Sequence, residues 1–158
     1  MRALTIWQPW ASLIMAGAKL YEFRRWDYGS RNPNLAGTRI VIHAGARPIK
    51  RAEVVDILQR MDAGESALIE AIARPILDRI LAAHSNSPGL PFASGLGTAT
   101  LLRARRCTDL FKGVIDSDRI DQHVYAWPLQ AIEPFPHPIP CRGAQGFWNW
   151  PKDLERTA

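Results

Sequence analysis

Cysteine is scarce in this chain. Only Cys107 and Cys141 occur among 158 residues. The two show no metal-ligand spacing between them. A disulfide or metal staple is therefore not needed to explain the fold, and both thiols are expected to act as small structural apolar groups. Long hydrophobic runs are missing too: none approaches the roughly 20 residues that span a bilayer. No basic segment followed by an apolar stretch and a cleavage site opens the chain. The expectations are a cytoplasmic location and no membrane partner. No internal repeat is visible, no Ser–His–Asp order is recognisable, and no glutamate falls between Ala71 and Ile132. Acidic residues are in deficit, 15 against 20 basic ones, giving a net charge of +5. A basic balance favours polyanion partners.

What is present supports one core, since 47% of residues are hydrophobic. The expected organisation is a single domain over 1–151 and a short tail over 152–158. Ala3 to Ile6 reads as a first strand. Pro9 suits a first helical turn, and Trp10, Leu13 and Ile14 form one apolar stripe. Gly17 is a left-handed stop, so a helix is predicted from Gln8 to Ala16. Lys19 to Trp26 is extended by pattern, with Tyr21 and Phe23 on one face and Glu22 and Arg24 on the other. Tyr28 to Gly37 is a loop, and Arg39 to Ala44 a buried strand ending at His43.

Helical periodicity covers Arg51 to Met61 and Ser66 to Ala83, with Pro75 expected to kink or split the second helix. We read 51–83 as a helical insertion beside a β core, leaving open whether it is a lid, a dimer surface or packing. Ser85 to Pro91 reads as a linker, and Leu96 to Ala104 as a central strand ending in Arg103, Arg105 and Arg106. Asp109 to Phe111 makes at most one helical turn, and Asp116 to Gln122 a polar loop. Two short strands, His123 to Trp127 and Leu129 to Ile132, flank Pro128. Pro134, Pro136, Pro138 and Pro140 mark an edge-like run. A last stretch spans Cys141 to Trp150. Many short strands plus one helical excursion predict an α+β fold, a small and partly open β-barrel with an N-terminal helix.

The run Gln8-Pro9-Trp10-Ala11-Ser12-Leu13, followed by Gly17-x-Lys19-x-x-Glu22-x-Arg24, resembles the ASCH domain family of the PUA-like superfold. Ser94-Gly95-x-Gly97 and Gly146-x-Trp148 are similar to later parts of that family. The opening resembles most closely the branch found in a eukaryotic transcription coactivator. The resemblance spans about Met1 to Pro151. It implies a barrel with a cleft between the first helix and the motif strand, a cleft that receives RNA, DNA or a modified nucleobase.

Lys19, Glu22 and Arg24 are the principal candidates. Lys19 is placed to contact a phosphate, or to act as a base or nucleophile if burial lowers its pKa. Solvation beside the helix C-terminus is its alternative reading. Glu22 would position Lys19 while Arg24 binds a phosphate or base edge, or the two form a structural ion pair. Gln8 either caps the helix or offers an amide to a base. Trp10 is weighted towards core, whereas Trp26 and Trp148 are candidate stacking platforms. His43 reads as structural or as a ligand contact. Arg25, Arg142 and Gln145 complete the candidate nucleic-acid-binding set.

The leading expectation is a module that holds RNA, single-stranded DNA or a modified nucleoside. The alternative is a hydrolase in the same cleft. A ribonuclease would use Lys19 for charge and Glu22 or His43 for protons. An amidohydrolase on acylated cytidine is less favoured. A family branch with that activity carries threonine where Glu22 stands, and an acid next to Lys19 opposes a free amine. No cofactor is expected; a divalent metal enters only in the nuclease reading. Oligomeric state stays open.

Overall fold

The computed structural model describes residues 1–83, 89–111 and 124–154. Its strands are β1 (Arg2–Ile6), β2 (Tyr21–Arg24), β3 (Thr38–Ala44), β4 (Ser94–Leu101), β5 (Arg105–Arg106), β6 (Tyr125–Pro140) and β7 (Phe147–Asn149). Its helices are α1 (Trp10–Met15), α2 (Arg51–Asp62), α3 (Glu70–Ala82) and α4 (Cys107–Leu110). The strands form one sheet in the order β2-β6-β4-β3-β1-β7, with β5 also paired to β6. Among the described residues only β1 and β3 are parallel, matching Ala3 to Val41 and Thr5 to His43. The other described ladders are antiparallel.

β6 is where the sheet curls. Its first four residues, Tyr125 to Pro128, pair with β2, and Leu129 to Pro140 pair with β4. Register shifts interrupt the second ladder, near Ala131 with its positive φ of 47°. Such bulges bend and twist a strand. Among the described residues no ladder joins β2 to β7, so the half-barrel stays open there. This is the expected α+β, partly open, PUA-like barrel.

Strand alternation divides the core. Leu4, Ile6, Ile40 and Ile42 pack on one face with Leu13 and Ile14 of α1. Ala3, Val41, Ile139 and Trp150 build a smaller cluster on the other face. The helical insertion is part of the larger core: Val54, Ile57, Leu77 and Ile80 belong to the same cluster as the barrel strands. These buried residues of α2 and α3 thus pack with the barrel strands.

Several expected boundaries move. α1 begins at Trp10 rather than Gln8, with Pro9 as its N-cap. Gly17 has φ of +75°, and the amides of Gly17 and Ala18 close the helix on the carbonyls of Ile14 and Leu13. α3 starts at Glu70 and continues through Pro75 without splitting. Buried Ala73, Leu77 and Ile80 tie both halves to one surface, which outweighs the backbone bond that proline removes. β4 starts two residues early, at Ser94. The two strands predicted around Pro128 and the extended proline run are a single strand of 16 residues. Prolines at alternating positions from 134 to 140 leave the intervening amides free to bond, so an edge ladder survives. The expected Ser85–Pro91 linker lies partly, and the Asp116–Gln122 loop entirely, outside the described residues.

Candidate functional site

Gly17 turns the chain back under α1, and the Lys19 amide bonds to the Leu13 carbonyl at 3.1 Å. That places the Lys19 side chain inside, only 3% exposed. Its Nζ lies 4.5 Å from the Phe23 ring centroid, 5.2 Å from the Trp10 centroid and 4.0 Å from Glu22 Oε2. Two aromatic faces and a carboxylate all attract a cation. Two positions along the same strand face, Arg24 Nη2 pairs with Glu22 Oε1 at 2.8 Å and reaches the Thr5 carbonyl at 3.4 Å. The Arg24 Nε–H is buried and has no partner among the described residues. Unsatisfied donors of this kind are uncommon and call for an explanation.

These groups open on a cleft of ≈ 550 Å³. One wall is the end of β1 with the residues after it, Thr5, Ile6 and Trp7. Another is His43 near the end of β3, with Gly45 and Ala46 just past it. Trp10, the group Lys19, Glu22, Phe23 and Arg24, Ala93 and the 142–146 loop complete the lining. Three cationic side chains, Lys19, Arg24 and Arg142, line it against one carboxylate, Glu22. The volume lies within the roughly 300–1,000 Å³ common for small-ligand sites.

His43 is locked into the wall. Its Nε2 is 2.9 Å from the Cys141 carbonyl, which can only accept, so Nε2 carries the proton. Nδ1 then accepts from Thr5 Oγ1 at 3.3 Å, and Thr5 Oγ1 in turn accepts from Trp148 Nε1 at 3.0 Å. Burial lowers the His43 pKa below its usual value, opposed by the bond to Cys141. The ring is thus a neutral strut. Gly143 packs directly on it: a Cβ there would lie 2.5 Å from His43 Cε1 and 2.7 Å from Thr5 Oγ1. Only a residue without a side chain lets this loop approach.

Seven of the expected site residues share the cleft: Trp10, Lys19, Glu22, Arg24, His43, Arg142 and Gln145. Four do not line it. Gln8 is fully buried; its amide donates to Ser12 Oγ and the Pro91 carbonyl and accepts from the Ser12 amide, so it braces the helix start. Trp26 is half-buried edge-on against Trp127, whose Nε1 donates to the Trp26 carbonyl. Trp148 supports the wall from behind through Thr5 and an edge contact to His43. Arg25 is exposed away from the lining.

Sequence reasoning missed Trp7, Thr5 and Phe23. Trp7 is 39% exposed, and the Arg47 guanidinium sits 3.9 Å above its ring while bonding both Glu53 oxygens at 2.6 and 2.7 Å. An aromatic residue just past the first strand was the available signal. Thr5 becomes visible only once β1 is known to pair with β3.

Among the described residues no three His, Cys, Asp or Glu side chains gather as metal ligands would, and Asp116, Asp118 and Asp121 lie outside them. Burial pushes the Cys107 thiol up to about 11, against the pull of Lys19, which suits an inert structural role. No described helix is long and apolar enough to cross a membrane.

Among solved structures, the chain is similar to an ASCH protein of Zymomonas mobilis at 15% identity and a TM-score of 0.52, covering 99% of this chain and 91% of that one. A serine-to-alanine variant of the Zymomonas mobilis ASCH protein matches at 17% identity and a TM-score of 0.51, over 98% and 91%. At such identities the likeness is one of fold. No curated protein matches the chain. The coactivator-type branch suggested by the opening finds no support in these matches. The ASCH domain family model matches residues 4–89, more than half of the 158, and the chain belongs to the ASCH domain family.

Proposed function

We propose that the cleft holds one nucleotide of single-stranded RNA or DNA, or a modified nucleobase, and that the protein is a binding module. The observation that carries this reading is that Lys19 and Arg24 line one cleft together with aromatic side chains. A phosphate or base carbonyl would meet the two cations, and the base plane would lie against Trp10 or Trp7. An extruded or unpaired base suits the site, since a duplex hides base edges and faces.

Hydrolysis in the same cleft, by a ribonuclease or an amidohydrolase on acylated cytidine, is the weaker reading. Lys19 has the surroundings of a cation rather than of a nucleophilic amine. Both nitrogens of His43 are engaged by the wall, which leaves neither for proton transfer. Glu22 alone would have to serve as acid and base while paired to Arg24.

The test is fluorescence anisotropy with labelled single-stranded RNA, comparing wild type with Lys19→Met, which keeps the bulk and removes the charge. The expected loss is about 10- to 100-fold in affinity, the range of one charge-assisted hydrogen bond. Equal affinities would sink the reading. Product analysis of RNA and acetylated cytidine, with and without Mg²⁺ or Mn²⁺, decides the hydrolase: turnover abolished by Lys19→Met would replace the binder.

A further inference from the structure

In a three-strand strip at one end of the sheet, β6 lies between β2 and β5. Arg24 of β2 and Arg106 of β5 are both paired with Tyr125 of β6. Directly paired residues on neighbouring strands point to the same face. Arg24, Tyr125 and Arg106 therefore form one row, about 10 Å long across two strand spacings. Its inner end is the cleft, which Arg24 lines. Its outer end is exposed, and the Arg106 guanidinium lies 4.8 Å over the Tyr125 ring. Among the described residues no carboxylate pairs with Arg103, Arg105 or Arg106, whereas Arg39, Arg47 and Arg60 each hold one and Arg74 holds two. Arg106, with no carboxylate partner among the described residues, thus stands at the outer end of a row that starts in the cleft, and Arg103 and Arg105 add exposed charge in the adjoining sequence.

We propose that this row is a phosphodiester track: Arg106, stacked on Tyr125, holds the backbone of the nucleotides that flank the one in the cleft. The inference rests on the binding reading above and narrows it, because it makes the ligand a single-stranded polynucleotide rather than a free nucleoside. A cation stacked on an aromatic ring is pre-ordered for a phosphate, and the Tyr125 ring, packed against the core, is itself held in place. A free nucleoside would fill the cleft and leave the row unused.

The experiment measures affinity for a mononucleotide and for labelled oligonucleotides of two, four and eight residues, as RNA and as DNA. It uses wild type, Arg106→Ala, Tyr125→Leu, Lys19→Met and, as a control of equal charge change on α3, Arg79→Ala. Wild type should gain affinity with length. Arg106→Ala should bind the mononucleotide normally and lose about 3- to 10-fold for the eight-residue strand, with the log–log salt slope shallower by about 0.7. Tyr125→Leu should lose the same length-dependent increment, and Arg79→Ala should match wild type. Preference between RNA and DNA identifies the strand without altering the claim. Arg106→Ala indistinguishable from wild type or from Arg79→Ala at every length, while Lys19→Met binds poorly, overturns the track alone. Wild type that binds no strand of any length overturns both the track and the cleft reading.

Discussion

Lys19 was legible as a candidate because a glycine stop fixes where the helix ends and the chain returns. Its packing was not legible, since Phe23 lies on the strand face assigned opposite to Glu22, yet its ring still reaches the ammonium. Trp10 carried two readings, core and ligand wall, and fits both: it is nearly buried and still lines the cleft. The proton position on His43 could not be read from sequence, because it depends on a carbonyl 98 residues away. That lock gives a pH prediction. Burial lowers the folded pKa of His43, so the unfolded chain binds the proton more readily, near pH 6.5. Its contribution is fully present above about pH 6.5 and declines as pH falls below that value. Denaturant midpoints at pH 7.5 and 5.5 should differ more in wild type than in His43→Gln. The slope attributable to this one group is at most about 1.4 kcal/mol per pH unit. An identical pH dependence in both proteins would show that the imidazole is not held neutral.

At the scale of elements, periodicity was a good guide to helices and a poor one to β6. Local signals split that strand at Pro128, whereas its ladders to β2, β4 and β5 unite it. Partners distant in sequence decided the matter, as they commonly do for sheets. α3 shows the same override in milder form. Pro75 sits in its interior, exposed, and the helix persists because one apolar face is already bound to the core. Proline costs about 3 kcal/mol relative to alanine in a helix interior, partly offset by its stiffening of the unfolded chain. Pro75→Ala should therefore raise stability by about 1–2 kcal/mol in urea titrations. A decrease would mean that the proline is accommodated without loss of helical hydrogen bonding.

Over the whole molecule, α2 and α3 share a core with the barrel, so they should unfold with it. Leu77 is fully buried in that core. Leu77→Ala should cost about 2–5 kcal/mol while leaving one cooperative transition by fluorescence and far-UV circular dichroism. Two separated transitions would instead mark the insertion as an independent lid. The basic balance read from composition was too coarse to locate a partner surface. The fold sorts it, pairing several arginines with carboxylates and leaving others at the cleft and beyond it.

The central claim is that a nucleotide enters the cleft beside Lys19 and Arg24. Six tryptophans report on its surroundings, at positions 7, 10, 26, 127, 148 and 150. The most direct measurement is a nitrogen–proton correlation spectrum of the six indoles during titration with a single-stranded oligonucleotide. The account predicts that Trp7 and Trp10 move most, that Trp148 follows weakly through Thr5, and that Trp26 and Trp150 stay in place. Saturable binding that shifts Trp26 or Trp150 and leaves Trp7 and Trp10 unmoved would contradict it.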